Sequence, residues 1–162
     1  MILIDGYNLL FLLKGSKDQD LQAYRENLIK MLIRYQRLKR SDITIIFDSG
    51  KDYSGVAKTL RKKLSAGVCM EFTPWGTSAD EAIVRYIKSA KDPCRIRLVT
   101  SDRRLWKEVK RLGTKVINSK DFAAELGQTL SREKIPCTEY REKQVGIPKG
   151  EVGFWLKVLG LK

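Results

Sequence analysis

Short apolar runs alternate with longer stretches of helical periodicity along the chain, the pattern of a sheet layered by helices. Met1 to Ile4 reads as a strand, Ile43 to Phe47 as a second and fully buried one, and Val68 to Phe72 as a third; Ile96 to Thr100 makes a fourth and Lys115 to Ile117 a short fifth. Between the first two, Leu21, Tyr24, Leu28, Met31, Leu32 and Tyr35 recur at helical spacing, with Asp20 placed to cap them. Residues 51–64 read as part loop and part short helix. A helix is predicted from Ala79 to Ala90, capped by Ser78 or Thr77 and carrying Asp80 and Glu81 in its first turn. Ser101-Asp102 turns into another that runs to Leu112 and stops at Gly113, and Ser119 or Asp121 opens a last one through Leu126. Beyond Gly127 the pattern weakens around Pro136, Gly146 and Pro148, and only Val152, Trp155, Leu156 and Leu159 return to helical spacing. Residues 1–126 are therefore expected to form one α/β domain, and 127–162 a C-terminal extension whose terminal helix packs back on it.

Composition narrows the chemistry. The 162 residues contain 32 Lys and Arg against 19 Asp and Glu, a net charge of +13, and no histidine. Histidine-based triads, imidazole bases and zinc sites that need imidazole are excluded. Cys69, Cys94 and Cys137 are widely spaced, with no C-x-x-C pair to suggest a disulfide framework or thiolate metal site. There is no apolar run of transmembrane length and no signal-peptide pattern at the start, so a cytoplasmic protein with no membrane role is expected. The excess charge points to a polyanion, because clustered Lys and Arg release counterions from phosphate backbones.

Acidic residues occupy a particular place in this basic chain. Asp5 follows the first strand at once, Asp48 follows the second, and Ser101-Asp102 follows the fourth. In an open parallel sheet that carboxyl edge is where ligands bind. Asp80, in the first turn after the third strand, reaches the same edge if the crossovers are right-handed. Each aspartate alone is ordinary turn or capping chemistry. Four together repel one another unless a cation compensates, and a hard divalent cation, Mg²⁺ or Mn²⁺, suits oxygen ligands and substrate phosphates. Metal-assisted phosphodiester hydrolysis needs no histidine.

Asp5-Gly6-Tyr7-Asn8, Phe47-Asp48, the stretch from Gly67-Val68 through Gly76-Thr77-Ser78-Ala79-Asp80, and Thr100-Ser101-Asp102-Arg103 together resemble the NYN domain of the PIN-like nuclease superfamily, and most closely the bacterial YacP-like ribonucleases. The resemblance covers residues 1–126. It implies a PIN-like three-layer α/β/α sandwich with a central, mostly parallel sheet, and a Mg²⁺- or Mn²⁺-dependent endoribonuclease. By position, Asp5, Asp80 and Asp102 resemble the family's metal-binding acids, and Asp48 the acid that completes the pocket. Asn8 and Ser101 would orient a carboxylate or a metal-bound water, or else serve as turn and helix-start residues. Where relatives often carry Glu-Thr-Ala-Asp, this chain has Thr77-Ser78-Ala79-Asp80, with Glu81 beside it.

The basic runs Lys58, Arg61, Lys62, Lys63 and Arg103, Arg104, Lys107 are placed to grip phosphates on either side of the pocket, or are solvated faces. Tyr7, Tyr53 and Trp75, read as loop residues at the same edge, would stack on single-stranded RNA, the expected partner; core or lid packing is the alternative for Tyr7 and Trp75. A catalytically inactive RNA-binding or ribosome-associated module competes with the nuclease reading. A phosphatase lacks its Asp-x-Asp after the first strand, and dinucleotide binding lacks its glycine fingerprint.

Overall fold

The computed structural model describes residues 1–14, 21–48 and 60–132. The sequence Ile-Leu-Ile-Asp forms β1 (Ile2–Asp5), buried throughout, and passes without a loop into α1 (Gly6–Lys14). Then come α2 (Leu21–Lys39), β2 (Ile43–Phe47), β3 (Leu60–Ser65), β4 (Val68–Phe72) and α3 (Ala79–Ser89). A turn of 3-10 helix at Pro93–Arg95 leads to β5 (Arg97–Val99), α4 (Arg103–Lys110), β6 (Lys115–Ile117) and α5 (Ser119–Ser131).

The six strands lie in the order β3-β4-β2-β1-β5-β6, and every pairing is parallel except that of β3 with β4. Strands β1 and β2 are buried on both faces, as parallel strands between helical layers must be. Alternation decides which layer each residue meets. Ile2, Ile4, Ile43, Ile45 and Phe47 pack with α1, α2 and α5, whereas Leu3 and Ile46 pack with α3 and α4. The result is the expected three-layer α/β/α sandwich with a mostly parallel central sheet. No helix among the described residues is long and apolar enough to cross a membrane.

Several elements depart from the sequence reading. Residues 60–65 form the antiparallel edge strand β3 and not a loop or short helix. Its lack of an apolar rhythm concealed it: Leu60 to Lys63 are all exposed, and the strand is held by pairing with β4 through the turn at Ala66-Gly67, where Gly67 takes φ +83°. The Gly6-Tyr7-Asn8 stretch belongs to α1 and not to a loop. α5 continues past Leu126 to Ser131 because Gly127 is buried inside it. Asp20 and the stretch from Val152 to Leu159 lie outside the described residues.

Gly6 fixes how closely α1 approaches the sheet. A Cβ at this position would stand 2.5 Å from the Phe47 ring and 2.7 Å from the Ile46 carbonyl oxygen. The backbone atom cannot yield as a flexible side chain could. Gly6→Ala is therefore expected to lower stability by about 2 kcal/mol through overpacking, read as a lower urea midpoint with an unchanged slope; an unchanged midpoint would show that the junction has room.

Candidate active site

The carboxyl edge of the sheet gathers the ends of β1, β2, β4 and β5, and the four aspartates stand at or just beyond these ends. Asp5 is the last residue of β1 and only 7% exposed. Its Oδ1 accepts the Asn8 backbone N–H at 3.3 Å, and its Oδ2 accepts the hydroxyl of fully buried Thr100 at 3.1 Å. Thr100 Oγ1 in turn accepts the Asp102 N–H at 3.1 Å, which ties β1 to the turn after β5.

Asp102 caps α4, its Oδ1 accepting the N–H groups of Arg104 at 2.6 Å and Leu105 at 3.1 Å. Asp48 Oδ1 accepts the N–H of Ala79, the first residue of α3, at 2.8 Å, and Ser78 Oγ accepts that of Glu81 at 3.2 Å. Two of the four acids therefore use one oxygen to hold a helix N-terminus, where negative charge is favourable. Asp80, next to the residue that Asp48 fixes, lines a cleft of about 440 Å³ together with Glu81, Val84, Arg85, Lys88 and Glu108.

The acids sense one another. Burial pushes the Asp5 carboxyl up to about 6, against the pull of its two hydrogen bonds, and the negative charges of Asp80 and Asp48 push the same way. Burial likewise raises Asp80, followed by repulsion from Asp102, Asp48, Glu108 and Glu81. Among the described residues no group of three His, Cys, Asp or Glu side chains is placed to hold a metal ion. The donor chemistry nevertheless fits a hard cation that keeps several waters and takes only one or two carboxylates directly, and such a charge would relieve the repulsion.

Asn8 is a positioning residue. Its Oδ1 accepts both the Ser101 N–H at 2.9 Å and the Ser119 hydroxyl at 2.8 Å. Ser101 Oγ donates to Asn118 Oδ1 at 3.2 Å and accepts the Ser119 N–H at 3.3 Å, while Asn118 caps α5 through Lys120 N–H at 2.8 Å. Three strand-to-helix junctions are thus laced together beside Asp5. Thr100, Asn118 and Ser119 were not singled out from sequence for this role. A hydroxyl or amide next to a strand end was the only signal, and many such residues are plain caps.

The polymer-binding candidates divide. Arg103, Arg104 and Lys107 are exposed on α4, whose N-terminus Asp102 caps at the acidic edge. Arg61, Lys62 and Lys63 lie on β3, which runs away from that edge: Leu60 pairs with Phe72 at the carboxyl end, and Lys63 pairs with Cys69 near the other. They do not flank the acids as a block, and Arg61 is engaged by Glu71 across the strands at 3.1 Å. Tyr7 is not a loop residue; it stacks on Phe11 with ring centroids 5.5 Å apart and meets Phe47 edge-on at 5.2 Å. Trp75 stands in a turn after β4 with 67% of its surface exposed. Tyr53 and Lys58 lie outside the described residues.

A family model described as the YacP-like NYN domain matches residues 2–149. The fold is shared with the crystal structure of Rae1 (YacP) from Bacillus subtilis, 22% identical with a TM-score of 0.65, over 82% of this chain and 76% of that one. The W164L mutant of the same Bacillus subtilis protein is 21% identical, again with a TM-score of 0.65, over 81% of this chain and 77% of that one. No curated protein matches the chain.

The raised Asp5 gives a pH dependence of definite sign. Between about pH 4 and pH 6 the folded chain keeps a proton that the unfolded chain has released, so stability falls as pH rises through this window. The loss is about 2–3 kcal/mol. Urea denaturation in the presence of a chelator is expected to show Asp5→Asn becoming progressively more stable than the parent from pH 4 to pH 7. Parallel stability curves would refute it.

Proposed function

This chain belongs to the YacP-like NYN domain family, a nuclease-like family, and on that footing we propose that it is a cytoplasmic endoribonuclease that hydrolyses RNA phosphodiester bonds with Mg²⁺ or Mn²⁺. The observation that carries this reading is the mutually repelling carboxylate edge formed around buried Asp5 and half-buried Asp80 in a chain of net charge +13. A surface of that charge draws in a polyanion, and the acidic spot on it calls for a cation between carboxylate and phosphate.

Asp5, Asp80 and Asp102 would surround the cation, one or two of them binding it directly and the others through its waters, Asp102 with the oxygen that does not serve its cap. A bound divalent cation supplies Lewis acidity to the phosphoryl oxygen, lowers the pKa of an attacking water and offsets charge on the leaving oxygen. Asp48 holds the start of α3 and with it the position of Asp80. Asn8 and Ser101 keep the turns that bear Asp5 and Asp102 in register. Arg103, Arg104 and Lys107 bind phosphates without reading sequence, and Lys62 and Lys63 extend the basic surface across β3. Trp75, exposed beyond β4, offers an aromatic face to an unpaired base, which favours single-stranded RNA.

Incubation with single-stranded and structured RNA in Mn²⁺ or Mg²⁺, resolved on denaturing gels, tests the assignment. Asp5→Asn and Asp80→Asn are each expected to lose more than about 100-fold in cleavage rate, and Asn8→Ala about 10- to 100-fold. Equal cleavage by the parent and the aspartate variants would overturn the catalytic assignment. RNA binding without cleavage by the parent would favour a binding module. Trp75→Ala is expected to weaken single-stranded RNA binding by about 1–3 kcal/mol with little effect on duplex binding, as measured by fluorescence anisotropy.

A further inference from the structure

Arg25 is a partly buried cation at the carboxyl edge that has no carboxylate partner among the described residues. Arg25 lies in the second turn of α2, partly buried, on the helical layer that covers Phe47. Its guanidinium carbon is 5.4 Å from the centroid of the Phe47 ring and 5.3 Å from that of Phe72. The two rings stack on each other at 5.7 Å and belong to the final residues of β2 and β4, which the Thr73 N–H to Phe47 carbonyl bond of 3.0 Å holds side by side. The next residue after Phe47 is Asp48. Arg25 therefore stands at the same edge as the acids, on the α2 side, while Asp80 stands on the α3 side.

Its Nε is shut off from solvent and has no hydrogen-bond acceptor among the described residues. Among the described residues no carboxylate lies within ion-pair distance of Arg25, whereas Arg61, Arg95 and Arg97 are matched by Glu71, Asp92 and Glu125. A guanidinium whose Nε is withdrawn from water without an acceptor is an unfavourable arrangement to keep for stability alone. Two aromatic rings hold its guanidinium carbon, so less conformational freedom is lost when an anion meets the terminal nitrogens.

Resting on the endoribonuclease reading, we propose that Arg25 is a phosphate-binding residue of this site, taking through its terminal nitrogens a phosphodiester that flanks the one at the carboxylates. The Phe47–Phe72 platform sets the height of that contact, and the strand of RNA would cross the sheet edge from the α3 side toward α2. Such a contact adds affinity and register without reading bases.

The probe is a fluorescent single-stranded RNA of mixed sequence, bound to the full chain in an Asp80→Asn background so that it survives the measurement. Arg25→Met keeps the apolar stem on the rings and removes the charge. It is expected to bind about tenfold more weakly and to flatten the plot of log affinity against log salt by about 0.7, the contribution of one phosphate contact on a single strand. Arg25→Lys keeps the charge but not the fork, and is expected to retain the slope while losing several-fold in affinity. With Asp80 restored, Arg25→Met is expected to raise KM and leave kcat near the parent value. Parent affinity and slope in Arg25→Met would overturn the proposal; if that variant does not fold, parent affinity in Arg25→Lys overturns it. The two readings fail separately. RNA bound but never cut by the parent, with weaker binding by Arg25→Met, removes the nuclease reading and leaves the Arg25 contact standing.

Discussion

A carboxylate held out of water at the end of the central strand is the constraint around which this molecule is arranged. Asp5 closes β1, the strand that pairs with both β2 and β5, so its position follows from the most deeply buried part of the sheet. The hydrogen bonds from Asn8 and Thr100 aim the carboxylate but do not restore its ordinary acidity, because burial outweighs them. What surrounds it follows from the same geometry. Parallel strands bring every crossover back to one edge, and the turns after β1, β5 and β6 must then interlock within a small space, as the bonds around Asn8, Ser101 and Ser119 do.

The buried strands and the acids after them were legible in the sequence because both depend on local pattern. Ile43 to Phe47 can hardly be other than an interior strand, and an aspartate directly after such a run stands at its carboxyl end. The elements that escaped depend on partners distant in the chain. Gly6 appears in the sequence only as part of the Asp5-Gly6-Tyr7-Asn8 motif, yet glycine is required there because the Phe47 ring occupies the space of a side chain, and helix α1 starts on it. β3 has no apolar alternation and owes its conformation to β4 and to the Arg61–Glu71 pair. The site shows the same division. Asp5, Asp48, Asp80 and Asp102 could be named from strand ends, whereas the service of Thr100 and Ser119 to them rests on contacts spanning about a hundred residues, 95 for Thr100 to Asp5 and 111 for Ser119 to Asn8.

The opposite end of the sheet is organised around a different polar group. Glu125 of α5 accepts a hydrogen bond from the Tyr35 hydroxyl of α2 and pairs with Arg97 of β5 at 2.8 Å, while the Arg97 guanidinium lies over the Phe122 ring at 5.8 Å. Against the upward push of burial, the hydrogen bond from Tyr35 and then the hydrogen bond and charge of Arg97 hold Glu125 below the usual range of a glutamate, in contrast to the raised Asp5. Charge at this end is matched within the fold. Among the described residues no cation lies within ion-pair distance of the aspartates at the carboxyl edge, and this difference separates a structural polar cluster from a place able to receive something.

The antiparallel strand β3 also bears on how the sheet could meet another copy of itself. A strand at the margin carries a row of backbone donors and acceptors that another copy could extend into a continuous ribbon. Here the exposed side chains along it are Leu60, Arg61, Lys62 and Lys63. Two such margins meeting would bring the cations Arg61, Lys62 and Lys63 of one against those of the other. Like-charge repulsion thus acts against polymerisation at this margin and helps keep each molecule's sheet its own.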